Sequence, residues 1–202
     1  MIDTVVFDLG GVVVDWNPRY LYRKIFMDEG EMEKFLAHVT NGEWNERQDA
    51  GRPFGEAIEE LSAREPGYRR EIEAYFSRWP EMLAGLVPGT SELIERIATE
   101  KRVRLFALSN WSAETFPHAL RKFDVLSKFE DVVLSGREKM IKPDQRFFKL
   151  LETRHGVVPS RALFIDDVEK NVNAAKSLGY NVLHFKSAEV LKRTLIDLGV
   201  LT

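Results

Sequence analysis

Residues 4–15 read TVVFDLGGVVVD. The β-branched and aromatic run Val5-Val6-Phe7 predicts a buried central strand in a chain that goes on to alternate strand and helix patterns. Asp8 stands where that run stops, so it is expected at the carboxyl end of the strand, the edge at which open α/β sheets bind ligands. Gly10 and Gly11 follow, and residues without a Cβ let backbone N–H groups come close to an anion. A second apolar run, Val12-Val13-Val14, then leads to Asp15.

Beyond Asp15 the character changes. Asn17-Pro18 reads as the cap and first turn of a helix reaching about Met27. A second helix is expected over about 31–40, with a turn at Asn41-Gly42. Pro53 opens another helix, in which Phe54, Ala57, Ile58 and Leu61 recur at i, i+3, i+4 and i+7; Ile72, Tyr75, Phe76 and Trp79 repeat that spacing. Residues 16–84 are therefore read as an all-helical insertion without a strand. From Gly85 onward strands and helices alternate. Strands are expected at 103–108, 131–134, 162–165 and 181–185, with helices between them and a final helix at 188–198. That alternation predicts parallel βαβ units with right-handed crossovers, an α/β core made of 1–15 and 85–202.

Three of these strands end in polar residues: Asp8, Ser109-Asn110 and Asp166-Asp167. Taken singly, Ser109-Asn110 is a helix-capping pair, Lys142 a solvated lysine and Asp166-Asp167 a pair of N-caps. A parallel sheet brings all the strand ends to one edge, and there the charges matter. Three carboxylates about 4 Å apart repel by about 4 kcal/mol per pair at an effective dielectric near 20. Lys142 together with a divalent cation would balance them. Magnesium suits the set, because it takes oxygen ligands and keeps several waters. Cysteine is absent and the four histidines, His38, His118, His155 and His184, are scattered without zinc spacing. The expected chemistry is phosphate handling. Asp8 would be the covalent nucleophile, Ser109 and Asn110 donors to phosphoryl oxygens, and Lys142 a stabiliser of the charge on the transferred group.

Composition removes other classes. A net charge of −3 argues against a nucleic-acid or anionic-membrane surface. No apolar run approaches the roughly 18 residues of a membrane span. The N-terminus carries no basic signal-peptide region. The lack of cysteine fits a cytoplasmic setting.

These segments resemble the four ordered motifs of the haloacid dehalogenase-like superfamily: FDLGGVVVD the first, LFALSN the second, Lys142-Pro143 the third and LFIDD the fourth. The resemblance implies a Rossmann-like three-layer sandwich with a parallel sheet of order 5-4-1-2-3, and a helical cap, here 16–84, that closes over the substrate. It implies that Asp8 is nucleophile and metal ligand. The Gly10 carbonyl and Asp167 would be further ligands of Mg²⁺, Asp166 would ligate or support, and Ser109 and Lys142 would hold the phosphoryl group. Gly11, Asn110 and Trp16 are the expected substrate contacts, with Trp44, Asn45 and Arg52 as further cap candidates. Arg69-Arg70 reads as a solvated face.

One position departs from the pattern. Phosphatases of the superfamily usually carry a second Asp where this chain has Gly10, and that Asp is their general acid/base. Some bacterial sugar-phosphate phosphatases resemble the form seen here. Asp15 or a residue of the helical insertion is the expected substitute. A magnesium-dependent phosphatase acting on a small phosphorylated metabolite is the first reading. The alternatives are a metal-independent 2-haloacid dehalogenase, in which a Tyr would stand at the Gly10 position, and a weakly catalytic binding or regulatory protein.

Overall fold

A computed structural model describes all 202 residues. In chain order the elements are β1 (Thr4–Phe7), β2 (Val14–Trp16), α1 (Arg19–Tyr22), α2 (Glu29–His38), α3 (Gly42–Asp49), α4 (Phe54–Arg64), α5 (Arg69–Ser77) and β3 (Leu83–Leu86). Then come α6 (Thr90–Glu100), β4 (Arg104–Ser109), α7 (Phe116–Lys122), β5 (Asp131–Leu134), α8 (Ser135–Glu138) and α9 (Gln145–His155). The chain ends with β6 (Ala162–Asp166), α10 (Glu169–Ser177), β7 (Asn181–His184) and α11 (Ala188–Asp197).

Five strands form the central sheet in the order β5-β4-β1-β6-β7, every pair parallel. Renumbered one to five along the chain and read from the β7 edge, that is the expected 5-4-1-2-3. Side chains alternate across a strand, so β1 supplies both faces of the sheet. Val5 and Phe7 belong to one core with Leu93, Ile94 and Ile97 of α6 and Leu191 and Leu195 of α11. Val6 faces the other way, with Phe106, Leu108 and Phe164, toward Phe147, Phe148 and Leu151 of α9. Every side chain of β1 is buried, as a strand covered on both faces requires. The result is a three-layer α/β sandwich.

The segment between β2 and β3 is helical but not free of strands. Val14–Trp16 and Leu83–Leu86 pair antiparallel in a two-stranded ribbon at the root of the segment, against the all-helical expectation for 16–84. Such short strands carry no period-2 signal, and Ala84 and Gly85 are poor strand formers, so only the non-local pairing makes them strands. The expected turn at Asn41-Gly42 is likewise the start of a helix: Asn41 caps α3, its Oδ1 accepting from the Trp44 N–H at 2.8 Å. Two α3 side chains are buried, Trp44 and Gln48, too few to print a helical stripe on the sequence. Inside the segment the aromatics pack on one another and are continuous with the core beneath the sheet. Trp44 meets Tyr75 edge-on at 4.9 Å and Phe54 stacks on Phe76 at 4.7 Å.

On the other side of the sheet, Phe148 packs edge-on against Phe164 of β6 with ring centroids 5.2 Å apart. Phe148→Ala should therefore cost about 3–5 kcal/mol. Urea unfolding should show a lower midpoint at an unchanged slope.

Candidate active site

The ends of β1, β4 and β6 lie side by side because those strands are neighbours in the sheet. Asp8 follows the last residue of β1, while Ser109 and Asp166 close β4 and β6. The carboxylates of Asp8, Asp166 and Asp167 each offer an oxygen within 4.8 Å of the others. Lys142 is brought in by the loop before α9 and is fully buried. Its Nζ lies 2.9 Å from Asp8 Oδ1 and 2.6 Å from Asp166 Oδ2. Asp166 is held from several sides, accepting also from the Val168 N–H at 2.8 Å and from Asn171 Nδ2 at 3.1 Å. Asp167 is exposed and has fewer such constraints.

Burial dominates the electrostatics. Dehydration pushes the Asp8 carboxyl up to about 7, with Lys142 pulling it down and Asp166 adding to the rise. Asp167, exposed at the rim of the cluster, is raised as well, by partial loss of water first and then by Asp166. The Lys142 ammonium is held above its ordinary value by Asp8 and Asp166, which together outweigh its own burial. One ammonium thus faces three carboxyl groups, two of which the protein alone keeps from ionising readily.

Four features fit a divalent cation with a phosphoryl group. The acid cluster is all oxygen, the donor type magnesium takes. Gly11 has φ +74°, and a Cβ there would collide with the Asp167 carboxylate, so the turn is shaped around that acid. The Ser109 hydroxyl is buried and has no hydrogen-bond partner. The N–H groups of Leu9 and Gly10 have no acceptor within the chain. Buried donors are rarely left unpaired, and donors left so at one sheet edge suit an anion.

Two expected substrate contacts are engaged elsewhere. The Gly11 N–H donates to the Val14 carbonyl at 3.0 Å, closing its own turn rather than facing an anion. Asn110 makes a reciprocal pair with the Lys142 backbone: Nδ2 donates to the Lys142 carbonyl at 3.1 Å and Oδ1 accepts from its N–H at 2.8 Å. Asn110 therefore orients the lysine. Gly10, Asn110 and Trp16 line a cavity of about 90 Å³ that they share with Asn45, Asp49 and Phe54 of the helical segment. Trp79 and Trp111, their rings 5.6 Å apart, complete its wall.

Other candidates fall away from it. Trp44 packs into the aromatic core of the helical segment. Arg52 is paired with Glu60. Asp15 accepts from the Tyr20 hydroxyl at 2.9 Å and is turned from the cavity that its neighbour Trp16 lines, as alternation along β2 dictates. Sequence reading missed Trp79, Trp111 and Phe54 as wall residues, because aromatics at helical spacing look the same whether they face a core or a cavity. Asp49, a further residue of this wall, closes α3.

Asp49 is where the helical segment meets the sheet edge. Its Oδ1 accepts from the Ser112 N–H at 3.0 Å and its Oδ2 from Asn45 Nδ2 at 2.9 Å. Its backbone carbonyl accepts from Ser135 Oγ at 2.5 Å. Two glycines make this approach possible. A Cβ on Gly51 would lie 2.9 Å from the Gly136 carbonyl, and one on Gly136 would lie 2.5 Å from the Ala113 nitrogen. Burial pushes the Asp49 carboxyl up to about 8, against the Ser112 hydrogen bond that lowers it.

Among known proteins the chain is similar to a phosphorylated carbohydrates phosphatase of Thermotoga maritima, 26% identical over 91% of this chain and 86% of that one. An enzyme of the same fold from Bacteroides thetaiotaomicron superposes with a TM-score of 0.74 at 24% identity, covering 96% of this chain and 98% of that one. The same enzyme in complex with magnesium and inorganic phosphate gives 0.70, over 93% and 96%. An L-2-haloacid dehalogenase of Xanthobacter autotrophicus shares the fold at 18% identity, with a TM-score of 0.64 over 100% and 85%. The sequence profile of haloacid dehalogenase-like hydrolases matches residues 2–179. That span takes in the whole helical segment and every strand of the central sheet but the last, and the chain belongs to the haloacid dehalogenase-like hydrolases.

Proposed function

We propose that this hydrolase is a magnesium-dependent phosphatase that cleaves a small phosphorylated metabolite, with a sugar phosphate the favoured class, by transferring the phosphoryl group to Asp8. The reading is carried by one observation: three carboxylates clustered within 4.8 Å share a single buried lysine beside the unpartnered hydroxyl of Ser109. The Thermotoga relative bears the name of a phosphatase for phosphorylated carbohydrates, and a Bacteroides enzyme of this fold is known with magnesium and phosphate; both support the reading.

Asp8, the Gly10 carbonyl and Asp167 would hold the cation, with Asp166 steadying Lys142 from behind. Bound there, Mg²⁺ would neutralise the excess carboxylate charge and polarise the phosphoryl oxygens. The Asp8 carboxylate attacks phosphorus, and the ester bond to the leaving alcohol breaks. Ser109 Oγ and the N–H groups of Leu9 and Gly10 donate to the phosphoryl oxygens. Lys142 opposes the charge that develops on them, held in place by Asn110 from its backbone side and by Asp166 at its tip. Water then attacks phosphorus, and the bond to Asp8 breaks to release phosphate. Residues 16–84 serve as a cap over a core of 1–15 and 85–202, with Trp16 and the aromatic wall contacting the substrate's non-phosphate part. Attack of Asp8 on carbon, the chemistry of dehalogenases, needs no cation and leaves the Asp167 carboxylate without a task.

With p-nitrophenyl phosphate as probe, EDTA should stop turnover and added magnesium restore it; activity indifferent to EDTA would refute the reading. Asp8→Asn should lower kcat by roughly 10⁴-fold or more, the loss expected when a nucleophile is removed. Ser109→Ala separates catalysis from folding. Its hydroxyl makes no hydrogen bond within the protein. Its loss should leave Tm unchanged or higher, while kcat falls about 10²–10³-fold, the cost of one donor to transition-state charge.

A further inference from the structure

Phosphoryl transfer to Asp8 expels an alcohol oxygen, and an alkoxide at neutral pH needs a proton as it leaves. Lys142 and Ser109 lie at the phosphoryl end of the site, and Gly10 has no side chain to give one. Of the side chains that line the cavity, Asp49 is the only titratable one. It lines that cavity together with Gly10 and lies near enough to Asp8 for the two carboxyls to act on each other through their charge.

Its position is fixed. The Ser112 N–H and Asn45 Nδ2 hold its two oxygens, and Tyr75 in turn fixes Asn45 by donating to its Oδ1 at 2.8 Å. The partial burial of Asp49 beside Phe54 and the tryptophans of the cavity wall favours the protonated acid.

We propose that Asp49 is the proton donor and acceptor of the reaction. The inference rests on the phosphatase reading above. In the first half-reaction the Asp8 Oδ–P bond forms and the P–O bond to the alcohol breaks, while the Asp49 proton passes to the departing oxygen. In the second, water attacks phosphorus, Asp49 takes its proton and the Asp8 Oδ–P bond breaks. Asp49 ends protonated, as it began, and the sum is one ester and one water converted to one alcohol and one phosphate.

The test uses the magnesium-loaded full chain with p-nitrophenyl phosphate, whose phenolate leaves without help, and glycerol 2-phosphate, whose alkoxide does not. Asp49→Asn should lower kcat/KM for glycerol 2-phosphate by about 10²–10⁴-fold and for p-nitrophenyl phosphate far less. Dephosphorylation of the phosphoryl-enzyme slows for both esters, so the intact mass of the variant should show one added phosphoryl group during turnover. Asp49→Glu should recover part of the loss. Wild-type kcat/KM should fall as pH rises through about 8, where Asp49 loses its proton, and that limb should vanish in Asp49→Asn. The charged and titratable groups facing Asp49 are Glu46 on its own helix, Asp8 through its charge, Tyr75 through Asn45, and Lys139 beside Gly51. Glu46→Gln should keep the limb.

Equal losses on both esters without a phosphoryl adduct would make Asp49 a structural tie and overturn the inference, as would full activity in Asp49→Asn. Should Asp49→Asn melt, Asp49→Glu and Asp49→Ala carry the same comparison. Turnover that survives in Asp8→Asn overturns the phosphatase reading itself, and so does a wild type inert toward both esters with magnesium. An inactive Asp8→Asn beside an unaffected Asp49→Asn overturns only the role of Asp49.

Discussion

A buried ammonium between two carboxylates organises this molecule. Lys142 reaches Asp8 at 2.9 Å and Asp166 at 2.6 Å with almost no exposure to water. Burying charges costs several kcal/mol per ion, repaid only when geometry and hydrogen bonds are both good. Here they are. Asp166 gains the Val168 N–H and the Asn171 amide, and the backbone of Lys142 is clamped on both sides by Asn110. The arrangement ties β1, β4, β6 and the loop before α9 to one point. Yet it is incomplete by charge, because Asp167 adds a third carboxyl that no second cation of the chain meets.

That imbalance is a property of the sheet edge. The parallel strands bury both faces, so their side chains along the body are apolar: Val5, Val6 and Phe7 in β1, Leu105 to Leu108 in β4, Leu163 to Ile165 in β6. Polar groups are excluded from the layers and collect where the strands stop. The same edge leaves donors unpaired, the Ser109 hydroxyl and the amides of Leu9 and Gly10. Surplus negative charge and unpaired donors at a single point are opposite demands, which on the proposed reading a cation and an oxyanion would meet together.

The helical segment answers a different demand, enclosure. Its aromatics run on into the core of the sheet, and specific polar contacts fix it at the sheet edge. Asp49 bonds to the Ser112 N–H, Ser135 to the Asp49 carbonyl, Glu114 to the Phe54 N–H at 2.8 Å and Lys170 to Glu46 at 3.2 Å. The exposed pair contributes little. The backbone-directed bonds and the Gly51–Gly136 approach set the distance between the two walls, and so the size of the cavity.

Much of this was legible in the sequence. The apolar runs, their polar stops and the order of the motifs determined the strands, their parallel pairing and the meeting of Asp8, Ser109, Lys142, Asp166 and Asp167, because a buried strand writes its identity into consecutive residues. Tertiary structure alone decided the rest. Asn110 and Gly11 are chemically able to meet a phosphate, yet their polar groups are bonded to Lys142 and Val14, a choice made by neighbours 32 and 3 residues away. The β2–β3 ribbon is defined by pairing between Val14 and Leu86, not by either strand's composition. Asp15 and Asp49 are both single acids near turns; one faces Tyr20 and the other a cavity, because the first alternates away from Trp16 and the second is docked across the chain onto Ser112. Local sequence carries what a residue can do, whereas which partner it meets depends on contacts between segments far apart in the chain.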